Sequence, residues 1–529
     1  TAATNGAAKL KVRFNPKGLY RPWMKCVEID VYDGSLAPGD IVEVVYGNRS
    51  GGSPGIRAQT FHESRHEFRV FVDPTNACSP KPLSQNPAFP IINGAAEKVI
   101  VILPSQIVCG KAATIHLRGE DKWGNPTPVP VEVELVWEGD TDVEVDKSTF
   151  TVTANKPGSG RIIARYKNRE FSSNPLTFFA EEPQLKRYWG DLHAQSDATV
   201  GTGTEEEYFR FGRDVAALDF TSHQGNDYQM TDEDWQRLND TVRQFHRDGK
   251  FVVFPGYEWS GNTTAGGDRN VFYREEGMPI LRSSHWQTSE ISASELSPAH
   301  PVTELFSKLH QYVDTTKVLL GAHVGGRYAD ISLGFDEKLG PLIEVVSCWG
   351  IFEWLIFDAF EKQFHIGIMA NSDGHKGRPG AEGPGAGEFG IAGGLTCVLA
   401  ESQTREAIFT ALQNRRCYAT TGARIDLNFS INGFSMGEII QSDDSEIAIK
   451  ASVKGCTPLE KIQLINGREL LQEQYTPEFA ETNSHRLRLA WKGSRMRGRG
   501  RRVTWDGEVR LENCNLIHAQ TWSFDSPSD

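Results

Sequence analysis

Hydrophobic and polar residues alternate over short stretches in the first third of the chain. From Leu10 to about Phe179 the apolar positions follow a period of two, in runs such as CVEIDVY, HEFRVFV, KVIVILP, VEVELVW and RIIARY. Turn residues separate these runs, and no helical stripe occurs among them. Such alternation is typical of strands with one buried face. We therefore predict two domains, an N-terminal β-sandwich over residues 1–100 and an immunoglobulin-like β-sandwich over residues 101–185.

The pattern changes after Tyr188, where helical periodicity alternates with apolar runs. Thr204 and Glu207 form a capping box that opens a helix, and Thr231 opens a second helix. One face of the second helix is apolar, at Trp235, Leu238, Val242 and Phe245. The intervening runs ALDFTSH, KFVVFPGYEW, TKVLLGAHVG, PLIEVVSCW and HIGIMANSDGH are typical of buried strands. Helices alternating with such strands predict parallel β/α units, and we expect a barrel over residues 186–424.

Strand-like alternation returns from Ile425, in runs such as RIDLNFSING, SEIAIKASVKG and EKIQLING. It predicts a third β-sandwich over residues 425–529, for which we expect a structural role. The basic cluster SRMRGRGRR, residues 494–502, lies in this part. We interpret it as a solvated hairpin turn, with an anion or partner contact as the alternative.

Composition and charge narrow the possible partners. The 529 residues exceed what one core can bury, and 39% hydrophobic with 24% charged residues is typical of a globular protein. A formal net charge of -13 argues against a nucleic-acid partner, which requires a basic surface. No run reaches the roughly 18 apolar residues of a membrane span. We expect a small anionic molecule as the partner, and the oligomeric state stays open.

The eight cysteines are scattered and form no C-x-x-C pair. This spacing predicts free thiols rather than a zinc ribbon or a disulfide framework, which slightly favours a reducing compartment such as the cytoplasm. The chain begins at Thr1, so its start does not report targeting. The compartment is therefore left open.

Ionisable residues end the apolar runs of the predicted barrel region. These residues are His193, His223, Glu258, His323, Asp373 and His375, and Glu344 lies inside the run LIEVV. The carboxyl ends of barrel strands meet on one face, and imidazole and carboxylate are ligands for divalent metals. A single histidine after a strand is more often structural, but so many such strand ends together favour a metal site. For the remaining histidines of this region we expect structural roles: His246, His285, His300, His310 and His365.

Cationic side chains adjoin two of these strand ends. Arg327 follows His323, and Lys376 and Arg378 follow His375. An arginine fork suits phosphate or carboxylate, so we predict that these three residues bind an anionic substrate, with solvated charges or salt bridges as the alternative. The glycine-rich stretch from Lys376 to Leu395 does not fit a nucleotide-binding loop. It is consistent either with a mobile rim over the metals or with a rigid irregular turn.

The ordered motifs GDLHAQS, TSH, GYE, GAH, IEVV and NSDGH resemble those of the PHP (polymerase and histidinol phosphatase) superfamily, whose pattern runs DLHxH, TDH, GxE, AH and SDxH. The block from Tyr188 to Gly422 resembles a large, poorly characterised bacterial and fungal branch of PHP-like proteins. The resemblance implies a distorted (β/α)7 TIM-like barrel that holds two or three divalent ions, zinc, manganese or iron. It also implies the metal ligands His193, Gln195, Glu258, Asp268, His323, Asp373, His223 and His375.

Within that implied set, His193, Glu258 and Asp373 bind the first ion, and Glu258 bridges to a second ion that His323 binds. Gln195 stands where the superfamily usually has a histidine. Asp268, in GGDRNVFY, stands where another histidine ligand is common. The departures at these two positions leave the number of ions open.

His223 and His375 then approach a third ion or act on the substrate. Together with Asp373 they are our candidates for proton transfer. Ions that share a carboxylate lower the pKa of bound water, which predicts hydrolysis.

Three functions follow: a phosphoesterase, favoured by the resemblance; a hydrolase of carboxylic esters, lactones or amides; and a non-catalytic binding protein with a degenerate barrel. The pattern G-x-S-x-G occurs at residues 51–55 and 433–437, but both matches lie in the strand-rich flanking regions and not between a strand and a helix. Neither is a nucleophile elbow, which argues against a serine nucleophile.

Overall fold

The structure, a computed structural model, describes residues 1–18, 25–288, 298–382, 393–443, 445–477, 487, 489 and 506–520. The basic cluster at 494–502 and most of the glycine-rich stretch, residues 383–392, lie outside the described residues. The chain divides into two units, Thr1–Ile92 and Asn93–Asp529. Among the described residues, no helix has both the length and the apolar character needed to cross a membrane. All eight cysteines are free thiols, as the sequence predicts.

The first unit contains short strands that pair two by two. They are β1 Ala2–Thr4, β2 Lys9–Asn15, β3 Cys26–Tyr32, β4 Val42–Val44, β5 Glu63–Glu67, β6 Phe71–Val72, β7 Lys81–Pro82 and β8 Ala88–Ile91. The pairs β1–β4, β2–β3, β5–β8 and β6–β7 are all antiparallel. The predicted strand character is confirmed here, and the N-terminal sandwich stays a prediction.

The second unit begins with eleven strands and no helix among its described residues up to Phe179. They are β9 Lys98–Ile102, β10 Gln106–Val108, β11 Ala113–Thr114, β12 His116–Glu120, β13 Pro126–Thr127, β14 Glu134–Gly139, β15 Val143–Asp146, β16 Thr151–Ala154, β17 Gly158–Tyr166, β18 Arg169–Ser172 and β19 Leu176–Phe179. They form three sheets around one apolar core that contains Val99, Leu103, Ile162 and Leu176. The immunoglobulin-like topology stays a prediction.

Strands and helices alternate in the following region. The strands are β20 Lys186–Asp191, β21 Phe220–Ser222, β22 Val252–Phe254, β23 Gly256–Trp259, β24 Arg269–Tyr273, β25 Val318–Ala322, β26 Leu342–Ser347, β27 Gly350–Ile351, β28 Gly367–Ala370, β29 Leu395–Ala400 and β30 Cys417–Thr420. The helices are α1 Glu205–Arg210, α2 Asp232–Phe245, α3 Val302–Tyr312, α4 Glu353–Glu361 and α5 Arg405–Gln413.

These strands form two sheets with parallel pairs in each. In the first sheet β20, β21 and β22 are parallel neighbours, and β29 and β30 continue it in antiparallel pairing. In the second sheet β25, β26 and β28 are parallel, whereas β24 runs antiparallel to both β23 and β25. The predicted parallel pairing is therefore confirmed for these six strands. The reversal at β24 follows from its short connection to β23, which has no α-helix to carry the chain back.

Two isolated parallel bridges connect the first of these sheets to the second, at two separate places. Ala194, beyond β20, bridges Gly374, beyond β28, and Asn226, beyond β21, bridges Glu258 in β23. The carboxyl ends of β20, β21, β23 and β28 therefore come together, while the seven-unit barrel itself stays a prediction.

Helix capping follows the sequence closely. Thr204 and Glu207 form the predicted capping box of α1, and a π-helical turn over Phe211–Val215 continues that helix. Thr231 forms a capping box with Asp234 at the start of α2. The predicted apolar face of α2 is buried at all four positions, Trp235, Leu238, Val242 and Phe245.

The C-terminal part is described only in pieces. Its strands are β31 Asp426–Ile431, β32 Phe434–Ser435, β33 Ile449–Lys454, β34 Lys461–Asn466 and β35 Glu469–Tyr475. A buried ion pair of 2.7 Å between Arg187 Nε and Asp426 Oδ1 ties this part to β20. The third sandwich stays a prediction.

Replacing Leu238 by alanine should lower the free energy of unfolding by about 2–5 kcal/mol, because the side chain is 1% exposed within the core and leaves a cavity. Urea denaturation measures the change. Gln236→Ala, on the exposed face of the same helix, is the control and should stay within about 0.5 kcal/mol of the wild type. Equal losses in both variants would contradict the assigned faces.

Candidate metal centre

Five of the predicted ligands lie at or near the ends of separate strands and are buried. His193 lies two residues beyond β20, His323 follows β25 directly, and Asp373 lies three residues beyond β28. Glu258 lies within β23, and Asp268 comes immediately before β24. The exposed fraction of each residue is 5% or less. Residues up to 180 positions apart in the sequence thus meet in one place.

These residues form two overlapping groups that could hold metal ions. His193, His323, Glu344 and Asp373 make one group, in which the candidate ligand atoms all lie within 4.8 Å of one another. A second group consists of Glu258, Asp268 and His323 and meets the same limit. His323 belongs to both groups and its ring packs against that of His193, with 4.5 Å between the centroids.

Glu344 fixes the orientation of His193. The Nδ1 atom of His193 lies 3.0 Å from Glu344 Oε2, and its Nε2 lies 3.3 Å from Asp373 Oδ1. Asn371 Nδ2 donates to the same Glu344 oxygen at 2.7 Å. A carboxylate that accepts from Nδ1–H leaves the Nε2 lone pair free to bind a cation. Glu344 therefore acts as a hydrogen-bond partner that orients His193, and not as a further ligand of an ion.

Glu258 lies between the two imidazoles. Its Oε1 is 3.6 Å from His323 Nε2, and its Oε2 is 3.9 Å from His193 Nε2. Asn226 Nδ2 donates to Oε2 at 2.7 Å, and Gln195 Nε2 donates to it at 3.1 Å. Two amide donors thus hold this carboxylate between the two groups.

Gln195 contacts the cluster through its amide nitrogen. Its Oε1 accepts a hydrogen bond of 2.6 Å from Thr199 Oγ1, so the assigned amide orientation turns the nitrogen towards Glu258. In this arrangement Gln195 supports Glu258 and does not present its oxygen to an ion.

Asp268 is paired with Arg327. The Nε atom of Arg327 lies 3.1 Å from Asp268 Oδ1, and the arginine side chain is 35% exposed while Asp268 is buried. This guanidinium therefore borders the cluster and also reaches solvent, as an anion-binding residue must.

His375 lies on the solvent side of Asp373. Its Nε2 is 3.7 Å from Asp373 Oδ1, and its side chain is 36% exposed. The ring of Trp349 lies beside it, with 6.2 Å between the centroids. His375 can thus exchange protons with solvent next to a buried carboxylate.

His223 is not brought into either group. Its Nε2 accepts hydrogen bonds from Ser196 N at 3.0 Å and from Ser196 Oγ at 2.9 Å. A backbone N–H can only donate, so Nε2 carries the lone pair and Nδ1 carries the proton. Burial lowers the pKa of His223 to about 4, so the ring is neutral near pH 7. With this hydrogen bonding neither ring nitrogen has a lone pair available for a metal.

Lys376 and Arg378 are buried and interact electrostatically with the buried Glu382. Arg378 Nη2 donates to Asn125 Oδ1 of the preceding β region at 2.8 Å. Burial lowers the pKa of Lys376 to about 8 and raises that of Glu382 to about 7. The sequence could not indicate this burial, because it depends on where a distant β segment packs.

The backbone holds Asp373 in an uncommon conformation. Its φ angle is +48°, in the left-handed region, and its N–H donates to the carbonyl oxygen of His193 at 2.6 Å. Such conformations in residues other than glycine are unfavourable and often mark functional sites.

Asp191 secures the same backbone. One of its oxygens accepts from the N–H groups of His193 at 3.1 Å and Ser372 at 3.0 Å, and the other accepts from Gly380 at 2.7 Å. The sequence patterns indicate no role for Asp191, Asn226 or Asn371, and they place Glu344 only inside a strand. Only the superfamily-like GDLH context of Asp191 offered a signal.

Burial dominates the electrostatics of the cluster. It raises the pKa of Asp268 to about 8 and that of Asp373 well above its ordinary value, and neighbouring carboxylates such as Glu258 add to both shifts. Burial opposes the charged form of His193, yet Asp373 and Glu344 raise its pKa well above 6.5. Burial lowers the pKa of His323. Carboxylates crowded in this way take up protons unless a cation neutralises them.

Several buried atoms of the cluster have no hydrogen-bond partner within the described part of the chain. They are His193 Nε2, both ring nitrogens of His323, and Asp373 Oδ2. Buried polar atoms are normally satisfied, and imidazole nitrogen with carboxylate oxygen is a donor set for divalent metals. The residues present therefore fit a divalent cation.

The raised pKa of Asp268 predicts a pH effect on metal-free protein. A carboxyl with an ordinary pKa of 3.8 and a folded pKa of about 8 stabilises the fold fully at acid pH, and this contribution disappears as the pH rises through about 8. In EDTA, the free energy of unfolding should fall by roughly 1 kcal/mol per pH unit between about pH 7 and 8. Asp268→Asn should flatten this slope, and an unchanged slope in that variant would contradict the assignment.

Replacing Gln195 by histidine should change the metal preference, because an imidazole would replace an amide beside Glu258. Competitive loading with zinc and manganese, followed by elemental analysis, measures the preference. Thr199→Val is the matched control, because it removes the hydroxyl that donates to the Gln195 oxygen but adds no imidazole. A zinc-to-manganese ratio equal to that of the wild type would count against a place for residue 195 in the metal site.

The family match includes part of the site and does not describe its function. The sequence matches one family, described as "Protein of unknown function (DUF3604)", over residues 174–325 and 375–463. The first matched segment contains His193, Glu258, Asp268 and His323, and the second begins at His375.

Similar proteins occur in Chlamydia. An uncharacterised protein of Chlamydia pneumoniae is 24% identical over 466 residues, covering 79% of this chain and 71% of that protein. An uncharacterised protein of Chlamydia trachomatis serovar D is 24% identical over 483 residues, covering 82% of this chain and 75% of that protein.

Among solved structures, the chain has a weak likeness to a two-domain protein from Bacteroides vulgatus that contains a predicted PHP-like metal-dependent phosphoesterase. The sequence identity is 14%, the TM-score is 0.32, and the match covers 45% of this chain and 66% of the other. The relatives thus leave the function to be argued from the chemistry of the site.

Proposed function

We propose that this protein is a metal-dependent hydrolase that acts on a small anionic substrate, with a phosphoester favoured. One observation carries the proposal: buried imidazole and carboxylate groups from separate strand ends face one another, and several lack hydrogen-bond partners among the described residues. A cluster of this kind is expensive to bury and is best explained by the cations it would hold.

Two ions would share this set of residues. His193, Glu258 and Asp373 would hold one, and Glu258, Asp268 and His323 would hold the other. The position of Glu258 between the two imidazoles supports this division. The parallel strands and the two bridges between the sheets support a distorted PHP-like barrel as the scaffold.

A divalent cation in this site would supply Lewis acidity and would lower the pKa of a coordinated water towards neutrality. The chain's own residues prepare the rest of the site. Glu344 keeps the Nε2 lone pair of His193 directed inwards, and Asn226 and Gln195 keep Glu258 in place. Such fixed supports spare the site reorganisation during the reaction.

His375 is the best-placed residue for proton transfer. It is partly exposed and adjoins Asp373, so it can reach both a bound substrate and solvent. Histidine titrates near neutral pH, which suits protonation of a leaving group. Asp373 would act with it as a ligand, whereas His223 is held by Ser196 and would serve a structural role.

Arg327 favours an anionic substrate over a neutral ester. Its guanidinium borders Asp268 and is partly exposed, so the remaining N–H donors can face a phosphate oxygen. A neutral ester or amide would make no use of this charge. Lys376 and Arg378 would influence the substrate only indirectly, because both are buried.

Metal analysis combined with an activity screen tests the function. We expect about one to two divalent ions per chain and faster hydrolysis of an aryl phosphate than of an aryl acetate. Protein that holds well under one ion per chain after loading would exclude both the phosphoesterase and the esterase, and would leave a binding protein. Activity on the ester alone would favour the second hydrolase class.

Asp373→Asn should lower kcat/KM by about 100-fold or more while the fold is kept, because it weakens a ligand inside the cluster. Circular dichroism and steady-state kinetics measure the two effects. Asp240→Asn, on the exposed face of α2, is the matched control and should leave kcat/KM unchanged. Full turnover by Asp373→Asn would show that the ligand set is wrong.

A further inference from the structure

Asn270 is a buried amide whose polar atoms have no hydrogen-bond partner in the part of the chain that the structure describes. It is the second residue of β24 and is 0% exposed, and neither its Oδ1 nor its Nδ2 has a partner within the described residues. A buried amide left without partners is strongly unfavourable. An apolar residue of similar size would be favoured at this position unless the amide has something to bind.

The strand register places Asn270 beside the metal centre. It lies opposite Glu258 on β23 and opposite Gly321 on β25, in antiparallel pairs. Directly opposed residues of such pairs point to the same face, as do residues two apart on one strand. Asn270 therefore points to the same face as Glu258 and Asp268. It lies two residues further along the chain than Asp268, which precedes β24.

Gln224 contributes another unsatisfied atom next to the same strands. Its Nε2 donates to Ser222 Oγ at 2.9 Å and to Val271 O at 3.3 Å, whereas its buried Oε1 has no partner among the described residues. Its amide also packs directly over Gly256, where a Cβ atom would collide with it. Gly256 precedes Glu258 by two residues, so Gln224 lies beneath Glu258 on the same face.

The layer beyond these amides is apolar. Phe272 and Leu319 face each other across β24 and β25 and belong to one buried hydrophobic cluster. The unsatisfied amide atoms thus lie at the boundary between this cluster and the metal centre.

Their chemistry selects one kind of ligand. The amide NH2 group of Asn270 and the amide oxygens of Asn270 and Gln224 need a partner that both donates and accepts hydrogen bonds. A cation cannot accept from the N–H group, and an anion cannot donate to the oxygens, whereas water does both.

We propose that Asn270 and Gln224 form a buried water site next to Glu258, and that Asn270 is a positioning residue for the proposed metal centre. The water ties β24 to the neighbouring strands and so fixes the spacing between Glu258 and Asp268. Its effect on cation affinity rests on the proposed metal site, whereas its effect on the metal-free fold does not.

Asn270→Leu, which keeps the number and branching of the side-chain heavy atoms, tests the water site through the sign of its effect. If the amide has no partner, leucine will raise the thermal midpoint in EDTA; if water binds there, leucine will lower it. We also expect at least about tenfold weaker binding of Mn²⁺ by titration calorimetry. A raised midpoint in EDTA, or Mn²⁺ affinity equal to that of the wild type, would overturn the proposal.

Asn239→Leu is the matched control. Asn239 is also buried, but both its polar side-chain atoms are bonded, to Trp235 O and Gly277 N, in α2 and the loop beside it. It should lower the midpoint and leave Mn²⁺ affinity unchanged.

If Asn270→Leu does not fold, the pair Asn270→Ser and Asn270→Ala decides, since the two differ mainly in one hydroxyl that can hold the water. A higher midpoint in EDTA for the serine variant supports the water site, and equal midpoints overturn it. Wild-type protein that binds no Mn²⁺ would refute the proposed function. The thermal midpoints of the Asn270 variants in EDTA would still test the water site.

Discussion

Negative charge buried at the ends of the strands is the constraint on which the rest of this region depends. Glu258 and Asp268 in one group, and Asp373 in the other, have oxygens within 4.8 Å of a ring nitrogen of His323, and all three are almost entirely removed from water. Such a group either takes up protons or is neutralised by cations. Two amide donors orient Glu258, and Arg327 pairs with Asp268, so these two carboxylates are held in fixed positions.

The supporting residues show how this orientation is achieved. Asp191 binds three backbone N–H groups and so joins the end of β20 to the segments that carry Asp373 and Gly380. Asp373 in turn keeps a left-handed backbone because its N–H is bonded to the carbonyl of His193. The buried Asp191 carboxylate thus fixes the backbone around residues 193 and 372, and this backbone fixes the position of Asp373.

Sequence patterns predicted the parts of this arrangement that depend on local structure. The capping boxes at Thr204 and Thr231 and the buried face of α2 follow from spacing within one helix. The convergence of His193, His323 and Asp373 could be predicted because parallel strands end on a common side. These features need no knowledge of how distant segments pack.

Features set by tertiary packing could not be predicted in the same way. Glu344 lies inside an apolar strand, and only the fold reveals that it faces His193. The hydrogen bonds from Ser196 to His223, and the burial of Arg378 against Asn125, depend on contacts between separate segments. The sequence shows which residue types are present near a strand end, but not which of them turns inwards.

Positions 195 and 268 both differ from the PHP pattern that the sequence resembles, and their effects on the proposed metal site are considered together. At position 195 an amide replaces an imidazole, and its nitrogen holds Glu258 instead of offering a lone pair to an ion. At position 268 a carboxylate replaces an imidazole and adds negative charge, which Arg327 partly balances. The proposed metal centre would therefore have fewer nitrogen ligands and more oxygen ligands than the pattern implies. Oxygen-rich sites favour harder cations such as manganese over zinc, so the metal preference should follow from these two positions acting jointly.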